Sequence, residues 1–316
     1  MTVSIVIAVK GDNPYLRECI EACLKLDYPD FEILVLPDKA IVCSYPRTKI
    51  IPTGAVTPPQ KRDIVLTQAT GDVLAFLDDD AYPREDWLRR ALKHFDQSEI
   101  AAVSGPAVTP ETDSLLQKAS GLVYSSYAMS GVHRYRYIPG RQRLVDDYPS
   151  CNFIIRTKTF KEIGGFATKF WPGEDTFLCL KIVEDLKKKI VYDPEVLVYH
   201  HRRGLFSGHL KQITQYALHR GYFVKRFPKT SLKPSYSLPS LLVSGLIVGG
   251  IASVWIEALR VVYFLTGGLY LSVVFLFSMC RDIRLTLLVF LGIIISHCMY
   301  GIYFIQGLCA KKMPEE

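Results

Sequence analysis

Three apolar stretches follow one another at the end of the chain: Leu238 to Ile256, Val261 to Cys280 and Leu285 to Ala310. Each approaches or exceeds the roughly twenty residues needed to cross a bilayer as a helix. Three such runs in tandem are foreign to a soluble core, so the pattern predicts about three transmembrane helices over residues 235–316. Up to about Pro234 the composition is that of an ordinary soluble α/β protein, and the apolar excess belongs to the tail.

The formal charge of +7 is as uneven as the hydropathy. No Asp or Glu occurs between Val196 and Ile256, a span that holds Arg202, Arg203, Lys211, Arg220, Lys225, Arg226, Lys229 and Lys233. A basic block ahead of apolar spans points to anionic headgroups on a cytoplasmic membrane surface and away from nucleic acid. Within it, Leu210, Ile213, Tyr216 and Ala217 oppose Lys211, Arg220, Lys225 and Arg226. Residues 205–234 are therefore expected to include a helix lying in the membrane interface, with an ordinary surface helix as the alternative. If the basic block is cytoplasmic, Arg281 and Arg284 are too. Three spans then leave Lys311 and Lys312 outside, against the positive-inside tendency. The eight cysteines have no paired or zinc-binding spacing, which fits reduced thiols facing a cytosol. Lys10, Asp12 and Arg17 interrupt the first apolar run, so no signal peptide is expected. The resulting expectation is a multi-pass protein of the inner (plasma) membrane with its soluble part, residues 1–204, in the cytoplasm.

That soluble part alternates strands with helices, as a mostly parallel α/β sheet requires. Thr2 to Val9, Phe31 to Leu36, Lys49 to Ile51, Ile100 to Ser104 and Cys151 to Arg156 read as strands. Leu16, Cys19, Ile20, Cys23 and Leu24 recur at helical spacing after Asp12-Asn13-Pro14. Further helices are expected from Pro58 and from Pro83 to Phe95, and from Glu174 to about Leu186. Thr109 to Pro149 is expected to be part helix and part loop.

Within this alternation, Val73-Leu74-Ala75-Phe76-Leu77 runs straight into Asp78-Asp79-Asp80. A short unbroken apolar run reads as a strand buried on both faces. Ligands of such sheets collect beyond the carboxyl ends of the strands. Three adjacent acids repel one another unless a cation joins them. A divalent ion sharing a substrate phosphate suits oxygen ligands; a solvated acidic turn is the alternative from this stretch alone.

Ser4-Ile5-Val6-Ile7-Ala8-Val9, Tyr15 to Ile20, Phe31 to Leu36, Lys61-Arg62-Asp63 and the aspartate triplet stand in a telling order. Asn152, Gly164-Gly165-Phe166, Gly173-Glu174-Asp175 and Pro194 with Val198-Tyr199-His200 continue it. Together they resemble the family 2 glycosyltransferases over roughly the first 230 residues. The resemblance implies a GT-A fold, a nucleotide-diphosphate sugar donor (a UDP-sugar first), a divalent metal (Mg²⁺ or Mn²⁺) and inversion at the sugar carbon.

By this resemblance Asp80 is the leading metal ligand, joined by Asp78 and His200; for His200 the alternative is a hydrogen-bonded histidine at a strand end. Asp78 and Asp79 also belong to the nucleotide-sugar set with Ala8, Val9, Lys10, Asp38, Arg62, Asn152, Arg202 and Arg203. Asp175 is the expected general base, since an acceptor hydroxyl needs its proton removed. Glu174 is expected to orient the acceptor; Trp171 is a candidate to stack on a sugar, with core packing as the equal alternative. For Glu174 and Asp175 the alternative is plain stabilisation of a helix N-terminus. The chain departs from the family at Ala8, where proline is usual, and at Pro37-Asp38, where two adjacent acids are common.

The stretch from Tyr199 through Gln212, Tyr216, Gly221 and Pro228 resembles members that extend lipid-linked saccharides in polysaccharide biosynthesis. A polyprenyl-linked acceptor in the bilayer is the implied partner. Gln215 is not followed by the Gln-x-x-Arg-Trp pattern of processive synthases, so one sugar per encounter is expected. Transfer directly onto polyprenyl phosphate is the alternative within enzymes, and a non-catalytic membrane scaffold the alternative outside them. The sugar, linkage and oligomeric state leave no mark in the sequence.

Overall fold

A computed structural model describes residues 1–42 and 44–316. The chain divides into two compact units. The first holds Met1–Val108 and Tyr135–His201 with Glu315–Glu316; the second holds Thr109–Arg134 and Arg202–Pro314.

The strands are β1 (Val3–Ala8), β2 (Phe31–Leu36), β3 (Thr48–Ile50), β4 (Val73–Asp78), β5 (Ala81–Pro83), β6 (Ile100–Ser104), β7 (Ala107–Val108), β8 (Arg143–Val145), β9 (Asn152–Arg156), β10 (Lys189–Tyr192) and β11 (Val198–His200). The helices of the first unit are α1 (Pro14–Cys23), α2 (Pro58–Asp63), α3 (Val65–Gln68), α4 (Trp87–Leu92), α7 (Thr157–Ile163) and α8 (Glu174–Leu180). Those of the second are α5 (Leu115–Ser125), α6 (Tyr127–Ser130), α9 (Ser207–Arg226), α10 (Pro228–Ser231), α11 (Pro234–Trp255), α12 (Glu257–Ser278) and α13 (Ile283–Cys309).

An eight-stranded sheet in the order β3-β2-β1-β4-β9-β6-β10-β8 carries the first unit. Strands β1 to β4 run parallel, β9 runs antiparallel to both its neighbours, and β8 closes the edge antiparallel to β10. The sheet is thus mixed. Strand alternation divides its core: Ile5, Ile7, Ala75 and Leu77 pack with Leu16, Ile20 and Trp87 on one face. Val6, Leu74 and Phe76 pack with Phe153, Phe160 and Phe166 on the other. Each such side chain contributes roughly 1.5–3 kcal/mol by leaving water. Helix α1 starts where Asn13 caps it, its Oδ1 accepting from Leu16 N at 3.0 Å, and Pro14 supplies the first turn. Where one helix was expected from Pro83 to Phe95, β5 takes the first residue, α4 begins at Trp87 and a 3₁₀ turn finishes the segment.

In the second unit, Leu115–Ser125 forms a helix because Ser114 and Gln117 make a reciprocal capping box. Helices α11, α12 and α13 are each long and apolar enough to cross a membrane. The seven described cysteines are free thiols.

Candidate active site

The acidic turn leaves the carboxyl end of β4 in the first unit. Asp78 continues the alternation of Leu74 and Phe76, so its carboxylate emerges on the Phe166 face of the sheet. Arg62 of α2 meets it there. The buried guanidinium donates through Nη2 to Asp78 Oδ1 at 2.6 Å, and through Nη1 to Glu174 Oε1 at 3.1 Å and Ser150 Oγ at 3.0 Å. One cation therefore joins the end of β4 to the start of α8.

Asp80 is followed at once by β5, and β11 pairs antiparallel with β5 in the register His200 opposite Ala81. That register sets His200 beside Asp80, with Nε2 3.1 Å from Oδ1. Ligand atoms of Asp78, Asp80 and His200 all lie within 4.8 Å of one another. Two carboxylates and an imidazole, none fully buried, form the kind of donor set that holds Mn²⁺ or Mg²⁺ with water and phosphate oxygens completing the shell. Asp79 turns away and accepts from Asn13 Nδ2 at 2.8 Å. Burial first, and then the neighbouring Asp80 charge, push its carboxyl up to about 6. His201 faces elsewhere, bonded to Glu18 Oε2 at 2.8 Å and packed on Tyr15.

Helix α8 opens at Gly173, whose φ of 115° is available to glycine at little cost. Glu174 is 5 % exposed. Its carboxyl is pushed up to about 8, chiefly by burial and then by Asp175, because Arg62 shares its single charge with Asp78. Asp175 is only half-buried and accepts from Thr176 N at 2.7 Å. Trp171 stands 45 % exposed at the turn before it.

At the ends of β1 and β2, the buried Lys61 ammonium bonds the Val9 carbonyl and the Asp38 carboxylate, with the Leu36 carbonyl at 3.4 Å. Ala8 and Val9 are buried, Lys10 is exposed, and Asp38 N donates to Lys10 O at 3.0 Å. Lys61 here, and Asn13 beside Asp79, are polar contacts of the site that the expected set of site residues did not include. The available signals were the position of Lys61 beside Arg62 on a short helix and the capping role of Asn13.

Asn152, expected in the donor set, is fully buried. It donates to the carbonyls of Gly105 at 2.7 Å and Val196 at 2.8 Å, and accepts from Trp87 Nε1 at 2.9 Å. With both donors and its acceptor engaged in the core, its amide ties β9 to the loops after β6 and β10. Arg202 and Arg203 belong to the second unit, where Arg202 is buried over the Tyr124 ring at 5.8 Å and Arg203 is exposed.

Residues 4–164 match the family described as Glycosyl transferase family 2. A pre-mycofactocin glycosyltransferase of Mycobacterium tuberculosis is 30% identical over 148 residues, which are 46% of this chain and 30% of that one. The chain thus spans under a third of that relative. A glucosyl-dolichyl phosphate glucuronosyltransferase of Haloferax volcanii is 25% identical over 234 residues, 63% of this chain and 69% of that one. Among solved structures, a mannosyltransferase from Pyrobaculum calidifontis in complex with GDP-Man and Mn²⁺ superposes with a TM-score of 0.64 at 16% identity, covering 98% of this chain and 88% of that one. GalNAc-T7 with UDP, GalNAc and Mn²⁺ gives a TM-score of 0.51 at 16% identity, over 74% of this chain and 52% of that one. At such identity the two structures speak for the GT-A fold.

Proposed function

The chain belongs to glycosyltransferase family 2, and from that premise we propose an inverting, metal-dependent, non-processive enzyme that moves a sugar from a nucleotide-diphosphate donor to a lipid-linked saccharide. The observation that carries the reading is the Asp78–Asp80–His200 cluster, tied through Arg62 to Glu174 at the start of α8. A divalent ion held by those three residues would offset the charge that a leaving nucleoside diphosphate gains. The imidazole nitrogen favours Mn²⁺ over Mg²⁺ in this set. Mn²⁺ in both solved relatives supports the same choice.

The chain's own residues supply the rest. Arg62 holds Asp78 in place, and Asn13 turns Asp79 aside. Lys61 and Asp38 with the Val9 carbonyl form a polar floor where a nucleotide base would rest, at the carboxyl ends of β1 and β2. Asp175, the more exposed acid of its pair, takes the proton of the acceptor hydroxyl; Glu174, buried and held by Arg62, positions it. Trp171 offers an exposed ring to the acceptor sugar.

A lipid-linked acceptor is supported by the apolar helices of the second unit and by the name of the Haloferax relative, a transferase for glucosyl-dolichyl phosphate. Free thiols at every described cysteine suit a soluble unit in the cytoplasm, at the inner (plasma) membrane. The test is a panel of nucleotide-sugars, UDP-sugars first, given to the purified protein with membrane lipid extract, with and without Mn²⁺ or Mg²⁺. Metal-dependent growth of a lipid-linked saccharide is expected. A polyprenyl monophosphate sugar as product would replace the acceptor, and no turnover with any donor would leave the scaffold reading.

A further inference from the structure

Helix α13 packs differently from the other two helices that are long and apolar enough to cross a membrane. Helices α11 and α12 are the antiparallel legs of a hairpin: Tyr263 OH donates to Leu246 O at 3.3 Å, and Arg260 Nε to Ser253 O at 3.1 Å beside the turn at Ile256. Helix α13 meets α11 in its first third, where Ser240 Oγ donates to Gly301 O at 3.1 Å. Gly301 there has no room for a Cβ against Pro239 and Val243. It meets α12 in its second half, through Tyr270 OH and His297 Nδ1 at 3.0 Å and the Phe275 and Phe290 rings at 5.6 Å. Both contacts fall at the open end of the hairpin. Farther along the legs, residues 244–248 and 264–266 are all exposed, with only the other leg beside them. Helix α13 crosses the base of the hairpin and does not follow it.

Helix α9 leads to the same result. It runs parallel to the second half of α13. His209 Nε2 lies 3.0 Å from Ser296 Oγ, Gly307 presses on the Leu218 carbonyl, and Lys225 Nζ donates to Ala310 O at 2.6 Å. Lys211, Lys225 and Arg226 of α9 are exposed. If α13 crossed the hydrocarbon, these cations would be drawn in beside it, where charged side chains are costly. At 1.5 Å per residue, the 27 residues of α13 would also carry Ala310 about 40 Å from the start of the helix. Lys225 stands only nine residues before Pro234, the start of α11, and α10 coils four of the residues between.

We infer that the chain crosses the bilayer twice, as the α11–α12 hairpin, and that α13 lies at the near headgroup boundary between α9 and the base of the hairpin. Each 22-residue leg is about 33 Å long, enough for a hydrocarbon core of about 30 Å. Lys311 and Lys312 then share a side with Lys229, Lys233, Arg281 and Arg284, and the charge asymmetry is restored. Trp255, 83 % exposed, meets the opposite headgroups with Glu257 and Arg260 at the turn. The inference stands whichever donor and acceptor the enzyme uses.

Sealed vesicles containing the full chain, treated with a membrane-impermeant amine-reactive ester and read by peptide mass spectrometry, test it. In vesicles oriented so that Lys229 is labelled, Lys312 of the unsubstituted protein is expected to be labelled to the same extent. The amine introduced by Glu257→Lys is expected to be labelled at least tenfold less until the vesicles are opened with detergent. Protection of Lys312 alongside unhindered labelling of Lys229 would mean three crossings and overturn the inference. Labelling of the Glu257→Lys amine together with Lys229 in sealed vesicles would mean that the hairpin does not cross, and would overturn it too. The lysine comparison needs no substitution, so a variant that fails to fold leaves it intact.

Discussion

Glu174→Gln is expected to stabilise the first unit at neutral and alkaline pH and to change nothing in acid. The carboxyl is buried, sits next to Asp175, and shares Arg62 with Asp78, which raises it from its ordinary 4.5 to about 8. Between those values the folded chain holds a proton that the unfolded chain releases, so stability falls as the pH rises through that window. The full difference, 8 minus 4.5, sets a ceiling of about 5 kcal/mol at 1.36 kcal/mol per unit. Relaxation around the buried pair lowers this, and a gain of about 2 kcal/mol at pH 8 is expected for the variant. Glutamine keeps an acceptor for Arg62 Nη1 and does not titrate. Thermal unfolding in detergent without divalent ions, from pH 5 to pH 8.5, reads the effect. The gap between variant and parent should be near zero at pH 5 and widen steadily towards pH 8. A constant gap, or a less stable variant at pH 8, would mean that Glu174 is an ionised partner of Arg62 and would refute the reasoning.

Asp175→Asn should lower transfer by about 10²–10⁴-fold while donor binding, measured by calorimetry, stays close to that of the parent; near-normal turnover would remove Asp175 as the base. His200→Ala should weaken Mn²⁺ binding by at least about tenfold in a paramagnetic-resonance titration, whereas His201→Ala should leave it unchanged and lower stability by about 1 kcal/mol. Equal losses of Mn²⁺ affinity in the two variants would contradict the β5–β11 register. Asp193, bonded to His94 Nε2 at 2.7 Å and Lys93 Nζ at 3.1 Å, is held well below the ordinary carboxylate range. Its stabilisation is complete above that range and is lost as the pH falls through the lowered value. Asp193→Asn should therefore cost about 1–3 kcal/mol at pH 7 and progressively less in strong acid, as urea unfolding at several pH values would show.

Much of the first unit was legible where a residue pattern has one physical solution. Val73–Leu77 at every position, and Val3–Ala8 at every position but Ser4, are apolar because they lie inside a sheet packed on both faces. Asn13-Pro14 marks a helix start, and Gly164 and Gly165, at φ of 83° and 82°, end another. What the sequence hid was pairing. An apolar run carries no direction, so nothing in Asn152–Arg156 announces a strand antiparallel to both neighbours. Asn152 is polar and follows a family pattern, and only its three core hydrogen bonds reveal a structural role. By hydropathy α12 and α13 look alike, and only their neighbours separate them: α12 is bare along most of its length, while α13 is packed by α5, α9, α11 and α12.

The cation cluster depends on strands of three residues, and this makes register its weak point. His200 and His201 are neighbours on the chain, but on an extended backbone their side chains point to opposite sides. The pairing of His200 with Ala81 sends the first to Asp80 and the second to Glu18 and Tyr15. A slip of one residue would exchange them. Two contacts oppose the slip: the backbone of His201 donates to Asp80 O at 2.9 Å, and the Tyr82 and Tyr199 rings stack at 5.0 Å on the paired strands. The charge balance of the same turn then argues for its purpose. Asp78, Asp79 and Asp80 stand against Arg62, which is shared with Glu174, and the rise of Asp79 to about 6 reflects its burial first and then the crowding of the Asp80 and Asp78 charges. A site built only for packing would relieve that strain with a second buried cation or with apolar replacements. Keeping the carboxylates together, half-exposed and facing a histidine, makes sense for a turn whose counter-charge arrives from solution.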